Sequence, residues 1–194
     1  MVAGFDRAFF SRNNWNNWKN AVSAMTTAPL TLEGKLVRLE PLGWEHLPAL
    51  AEIAVNNPEV WKWTFSLHDD AAVRKFMELA FKTRDAATSI PFAVRSLRDN
   101  TIAGTTRYSF IEPEHRKLEI GYTWLGPKYQ RTGINVEMKY LMLRHAFEEM
   151  GCVRVALKTH HKNLKSQAAI RALGAVDEGT SRNHMVHYDG TPRH

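Results

Sequence analysis

Gln130, Arg131, Thr132, Gly133 and Asn135 stand between a strand-like segment, LEIGYTWL, and a long apolar-rich helix pattern, INVEMKYLMLRHAFEEMG. That placement suits the binding of an anion. The start of a helix leaves about four backbone N–H groups without partners, and the macrodipole adds roughly half a positive charge at the same point. A phosphate or pyrophosphate satisfies both. Gly133 lets the backbone come close to such a group, Arg131 adds a mobile cation, and Thr132 and Asn135 leave room. A polar turn opening an ordinary structural helix carries the same letters, so the pattern alone leaves two readings open. Two known phosphate loops are ruled out: no G-K-[ST] occurs here, and a single glycine cannot make the G-x-G-x-x-G spacing.

Other reactive side chains carry less. His184 and His187, with His160 and His161 elsewhere, have no carboxylate or thiolate at ligand spacing, so no metal site is expected. Cys152 opens a strand beside Val153 and reads as packing rather than as a nucleophile. A lone cysteine excludes an internal disulfide framework and suits a reducing, cytoplasmic compartment. The formal charge of +6 points to anionic partners. The basic residues are spread along the chain and form no helix-turn-helix, zinc-finger or RNP pattern, so nucleic-acid binding is the weaker reading. A phosphate-bearing cofactor would use the same charge at one local site.

The elements that must position these residues alternate. KLVRLEPL sets Val37 and Leu39 against Leu36, Arg38 and Glu40, a half-buried strand ended by Pro41. GWEHLPALAEIAVN has helical spacing and stops before Pro58. DDAAVRKFMELAFKTRD is a second helix, with acids in its first turn where they complement the dipole. PFAVRSL, TIAGTTRYSFI and HRKLEIGYTWL read as strands. The helix after the polar turn runs to Gly151, a C′ glycine. CVRVALKT is a strand, NLKSQAAIRALG a short helix with Asn163 near its cap and Gly174 at its end, and RNHMVHYDG a last strand. The order βααβββαβαβ implies one mixed sheet with helices on both faces. At 194 residues and 44% hydrophobic, the chain can bury one core, and no apolar run approaches the roughly 20 residues of a membrane helix, so it reads as soluble. Residues 1–30 read as a poorly ordered extension and 31–194 as the domain. The Asn- and Trp-rich stretch 1–24 is basic, faintly like an organelle transit peptide, but the favoured reading is an extension upstream of a start at Met25.

The stretch LEIGYTWLGPKYQRTGINVEMKYLMLRHAFE, followed by RVALKT and NLKSQAAIRALGA, resembles the GNAT acyltransferase superfamily. Within it the closer resemblance is to ribosomal-protein N-acetyltransferases of the RimJ/RimL type, and it extends from Leu32 to near the C-terminus. The turn matches that family's Q/R-x-x-G-x-G/A at Gln130 and Gly133, with Asn135 in place of the usual Gly or Ala. The resemblance implies the GNAT α/β fold, a central mixed, mostly antiparallel sheet flanked by helices on both faces. It also implies acetyl-CoA as acyl donor, without a metal. The pyrophosphate would rest on Gln130, Arg131, Thr132, Gly133, Ile134 and Asn135. Pantetheine would lie along Ile120, Tyr122, Thr123, Trp124 and Leu125. Asn163 would bond the pantetheine amide, or else simply cap its helix.

Such an enzyme transfers acetyl to an amine, which requires a neutral amine, a place for the developing oxyanion and a proton for the leaving thiolate. An α-amine, titrating near 8, is easier to use than a lysine amine near 10.4. A backbone N–H between Tyr122 and Trp124 would hold the oxyanion. Alternation puts Leu118, Ile120, Tyr122 and Trp124 on one face of the strand and Glu119, Gly121 and Thr123 on the other. Glu119 is then the candidate base, directly or through a water, against a plain salt-bridged strand residue. His115 is the second candidate base, or a surface histidine. The tyrosine that many relatives use as acid is replaced by Ile170, and Ser166 matches the serine that the RimJ/RimL-like branch offers to the sulfur. Trp61, Trp63 and Phe65, between the first two helices, would shape a peptide-sized acceptor slot or pack as core. The acceptor is a protein N-terminus or a small-molecule amine. A catalytically weak acyl-CoA-binding module is the alternative.

One departure stands out. In relatives the chain continues past DGTPRH into a further strand of the sheet. Its absence would leave exposed backbone donors. The expected causes are a truncated chain, favoured here, a homodimer that completes the sheet, or the N-terminal extension folding in to replace the strand.

Overall fold

The computed structural model describes residues 1–6, 25–64, 67–186 and 190–193. The main sheet is built from β1 (Val2–Asp6), β2 (Leu32–Glu33), β3 (Val37–Pro41), β4 (Ile90–Ser96), β5 (Thr101–Glu112), β6 (Lys117–Leu125), β7 (Arg154–Lys158) and β8 (Val176–Gly179). Its order is β2-β3-β4-β5-β6-β7-β1-β8, and only the β6–β7 pairing is parallel. Helices α1 (Leu47–Val55) and α2 (Asp70–Asp85) join β3 to β4, α3 (Ile134–Arg144) joins β6 to β7, and α4 (Leu164–Ala172) follows β7. This is the expected α/β architecture, mixed and mostly antiparallel.

Two apolar layers sit on opposite faces. Val37, Leu39, Phe92, Tyr108, Leu118 and Ile120 pack with Met138 and Met142 of α3 and Ile170 of α4. Leu50, Ala54, Phe76, Met77, Ala93 and Trp124 form the layer under α1 and α2. Val37 and Leu39 are fully buried, as their alternation requires. Asp69 caps α2, its Oδ1 accepting from Ala72 N–H at 2.7 Å. Gly151 and Gly174 adopt positive φ after α3 and α4, the left-handed geometry of a C′ residue.

The first strand departs from the sequence reading at residues 1–6. Residues 1–6 do not lie outside the fold: Val2–Asp6 pairs antiparallel with all of β7 on one side and with β8 on the other. Met1, Ala3 and Phe5 are buried in the α3–α4 layer, and the side-chain period of two explains why these positions face inward. The outer edge of β7 is therefore paired by the N-terminal segment, the arrangement that the third of the stated alternatives describes. Residues 7–24 lie outside the described residues. The described part of RNHMVHYDG does not join the main sheet either. Met185–Val186 (β9) pairs with Pro192–Arg193 (β10) in a separate two-stranded ribbon, and β8, unread in the sequence, takes the edge. Val176–Gly179 is exposed at every position and carries acids at its centre, so it has no alternation to read.

Candidate active site

β6 and β7 are paired only from Lys117–Glu119 to Arg154–Ala156. Beyond Glu119 the strands part, and among the described residues Ile120 to Leu125 keep β5 as their only sheet neighbour. The opening leads straight to the turn before α3.

A bulge interrupts the parted half of β6. Thr105 pairs with Trp124 and Arg107 with Gly121, so Tyr122 and Thr123 together oppose Thr106, and Tyr122 takes φ 52°. A left-handed bulky residue costs on the order of 1 kcal/mol and marks a backbone shaped by its surroundings. The bulge also shifts the alternation. Leu118, Ile120 and Leu125 face α3, whereas Tyr122 and Trp124 face α1 and α2. Thr123 turns toward α3, where its Oγ1 meets Thr106 Oγ1 at 2.7 Å. The expectation that Leu118, Ile120, Tyr122 and Trp124 share one face is thus corrected, because one extra residue inverts every side chain that follows.

At the start of α3 the turn is held from below. Thr132 Oγ1 donates to Tyr129 O at 2.7 Å, and Gln130 Nε2 donates to Leu125 O at 3.0 Å. Gly133 occupies the N-cap at φ 92° and Arg131 also has positive φ. Where α2 and α4 are capped by Asp69 and Asn163, no side chain caps α3 among the described residues. Its first-turn N–H groups face the exposed Arg131, Thr132 and Gly133. Glu137, the acid of that first turn, points elsewhere: its carboxylate accepts from the N–H groups of Lys35, Leu36 and Val37 at 2.6 to 3.0 Å. Lys165 of α4 donates to Gln130 Oε1 and so brings a second cation to the turn beside Arg131. A diphosphate fits this donor set: uncapped N–H groups, a residue without Cβ and two cations.

The other candidates are distributed unevenly. Glu119 stands at the vertex where the strands part, its side chain 12% exposed and ion-paired to Lys158 Nζ at 2.8 Å. It shares the α1–α2 face with Gly121, on which a Cβ would lie 3.3 Å from its carboxylate. Asn163 caps α4, its Oδ1 accepting from Ser166 N–H at 3.1 Å, so the capping role read in the sequence is in use. Ser166 is half-buried in the first turn of α4, and Ile170 is buried. His115 is not brought to the site. It lies in the turn before β6, largely exposed beside Glu114, and the five extended residues Lys117–Gly121 stand between that turn and the bulge, about 17 Å of strand.

The aromatic trio also divides. Trp61 is core, 3% exposed, with Nε1 donating to Ala54 O and its ring edge-on to Trp124 at 5.1 Å. A slot-lining role for it is corrected by that burial. Trp63 is half-buried and stacks on His160 of the β7–α4 loop at 5.1 Å, carrying the α1–α2 connection across the end of β7. Phe65 and His187 lie outside the described residues. No group of three His, Cys, Asp or Glu among the described residues could hold a metal. Burial pushes the Cys152 thiol up to about 12, which leaves it without a thiolate near neutrality.

Two cations escaped the sequence reading. Lys139 of α3 is buried, with Nζ donating to Thr123 Oγ1 at 2.6 Å and Thr106 Oγ1 at 3.4 Å, and burial lowers it to about 7. Arg107 of β5 is buried on the opposite face, its guanidinium 4.1 Å from the Tyr122 ring centre and 5.2 Å from that of Phe76. Burial lowers it to about 10. Lys139 does sit on the inward face of α3, between Met138 and Met142 in sequence, and its position there was the available signal.

Residues 37–176 match the family model described as "Acetyltransferase (GNAT) domain". The curated protein named "Putative ribosomal N-acetyltransferase YdaF", from Bacillus subtilis, is 27% identical over 157 residues, covering 78% of this chain and 84% of that one. The crystal structure of a "putative acetyltransferase" from T. thermophilus is 37% identical, with a TM-score of 0.75 and 86% of each chain covered. A GCN5-related N-acetyltransferase from Brucella melitensis is 28% identical, with a TM-score of 0.74, covering 84% of this chain and 75% of that one. Parted strands, a bulge between them and an uncapped helix at their mouth thus meet a family match over most of the chain, which belongs to the GNAT acetyltransferases, among the homologues of RimJ/RimL-like ribosomal N-acetyltransferases.

Proposed function

We propose that the protein transfers the acetyl group of acetyl-CoA, the donor used by its family, directly to a primary amine within a ternary complex. The observation that carries this reading is the continuity of the opened β6 edge, the Tyr122 bulge and the uncapped start of α3, which together suit a long thioester with a diphosphate tail. Bound there, the donor supplies an activated acetyl group. Gln130 to Asn135, with Lys165, hold the phosphates, and Ile120 to Leu125 align the arm. The bulge N–H groups between Tyr122 and Trp124 receive the oxygen that gains charge. Glu119 takes the proton from the amine as nitrogen bonds to the acetyl carbon, and the Ser166 hydroxyl hydrogen-bonds the departing sulfur, which takes up an equivalent proton from water. Trp63 closes the acceptor side. Holding both reactants in place removes much of the entropic barrier.

For the acceptor, we favour a protein N-terminal amine, because its pKa near 8 leaves a neutral fraction without a strong base and because a relative bears a ribosomal N-acetyltransferase name. A small-molecule amine is the other acceptor class. The unpaired, buried Cys152 supports a cytoplasmic setting. The test is thiol release from acetyl-CoA over a panel of peptides and small amines, run beside calorimetric CoA binding. Turnover with any amine supports transfer. Binding without thiol release would replace it with an acyl-CoA-binding module, the reading that Ile170 favours, and no binding at all would remove both.

A further inference from the structure

The Tyr122 bulge is gripped by a buried cation on each face, and neither cation has an acid. Lys139 reaches it from α3 through Thr123, and Arg107 reaches it from the α2 side over the Tyr122 ring. Among the described residues no carboxylate pairs with either, and Arg107 Nη2 is buried without a hydrogen bond. Among the described residues, the other titratable side chains buried on the Lys139 face are Tyr108 of β5, Tyr129 before α3, His145 after α3 and Cys152 before β7, none of them a carboxylate. Glu137 is committed to the β2–β3 turn. Burying a charge without a partner is costly, and groups kept in that state gather where a reaction uses them. Here both lie against the three residues at which an acyl group would react.

We propose that Lys139 is a positioning residue for acyl transfer, holding the bulge through Thr123 while Arg107 holds Tyr122, and that their shared positive charge awaits negative charge formed at the bulge. The inference rests on the acetyl-transfer reading. In that step the amine nitrogen bonds to the acetyl carbon, and the carbonyl pair moves onto oxygen. As the pair returns, the carbon–sulfur bond breaks. Sulfur leaves with its electrons and takes up a proton equivalent to the one the amine lost. Negative charge thus sits first on oxygen and then on sulfur, and cations fixed beside that point lower its energy without having to move.

The experiment compares the parent with Lys139→Met, which removes the donor and the charge, and Lys139→Gln, which keeps a donor for Thr123. Calorimetry measures CoA against its dethio analogue near pH 6.5, below the titration of Lys139 near 7, steady-state assays at the same pH separate kcat from KM, and melting of the free protein reports folding. We expect dethio-CoA affinity to hold within about threefold and melting not to fall. The preference for CoA over its dethio analogue should be lost, and kcat should drop about tenfold or more in Lys139→Met at near-constant KM. Lys139→Gln, folded and hydrogen-bonded but uncharged, should show the same loss. Full kcat in both variants overturns the proposal, as does an effect confined to KM. Failure of the parent itself to bind CoA would instead sink the functional reading, so the two failures are distinguishable.

Discussion

Glu119 and Lys139 differ in how their charges are compensated, and that difference sets what each substitution should do. Glu119 has Lys158 at 2.8 Å, and that lysine is 39% exposed, so water can accommodate it if its partner is neutralised. Glu119→Gln should therefore change stability by less than about 1 kcal/mol. If the carboxylate takes the amine's proton, kcat should fall by about a hundredfold, since positioned bases contribute roughly 10²- to 10⁴-fold. Stopped-time thiol assays over pH 6 to 9 check both kcat and its acidic limb, and a profile matching the parent's would leave Glu119 a structural ion pair. Lys139 has no such partner, and its lowered titration near 7 makes a statement about stability. The unfolded lysine keeps its proton to about 10.5, so between 7 and 10.5 the unfolded chain binds more protons and stability rises with pH. Cys152 acts in the opposite sense above 9, because its folded thiol holds the proton to about 12. Urea melts of the parent minus those of Lys139→Met, from pH 6.5 to 8.5, should show the rise; a flat difference would mean that Lys139 does not titrate in that window.

Among the elements, α3 begins without the side-chain cap that α2 and α4 possess, and the prediction at this scale is to supply one. Gly133→Asp puts a carboxylate at the N-cap, where Asp is a favoured cap and tolerates left-handed φ better than most residues. Its Cβ would lie 3.0 Å from Leu36 Cδ1, the end of a half-exposed side chain that can move aside. The helix should hold, with melting within a few degrees of the parent, while CoA binding weakens at least about tenfold through charge repulsion. Unchanged CoA affinity by calorimetry would remove the turn from the site. This start of α3 was legible in advance, because Gln130 to Asn135 announce a polar turn between two apolar periods. The bulge was not. Nothing in LEIGYTWL distinguishes an alternating strand from one with an extra residue at Tyr122, since the signal is a register against β5 that only the folded sheet supplies. That miss put Tyr122 and Trp124 on one face with Leu118 and Ile120, and it set Thr123, the partner of Lys139, on the opposite face from those two residues. For Trp61 slot and core both stood open for a related reason: a turn-rich segment gave no period, so nothing in it told which of the aromatics packs onto Trp124 under α1.

For the molecule as a whole, the sheet depends on a segment that local reading set aside. VAGFD is short, and the Asn- and Trp-rich run after it masks its alternation, while its partners on β7 lie at the other end of the sequence. Yet β7 is one wall of the opening, and β1 is the strand that lies along its other side. Removing β1's packing should therefore reach both stability and donor binding. Phe5 is 3% exposed within the α3–α4 layer, and Phe5→Ala should cost about 3 kcal/mol or more, as truncation of a buried phenyl ring does. Urea unfolding measures this. Val2→Ala, at a half-buried position on the other face of the same strand, should cost much less. With β7 less firmly held, Phe5→Ala should also weaken CoA binding at temperatures just below its melting, and Val2→Ala should not. Equal and small effects at both positions would mean that Val2–Asp6 does not fill the place between β7 and β8, and β7 would then need another partner to cover its edge.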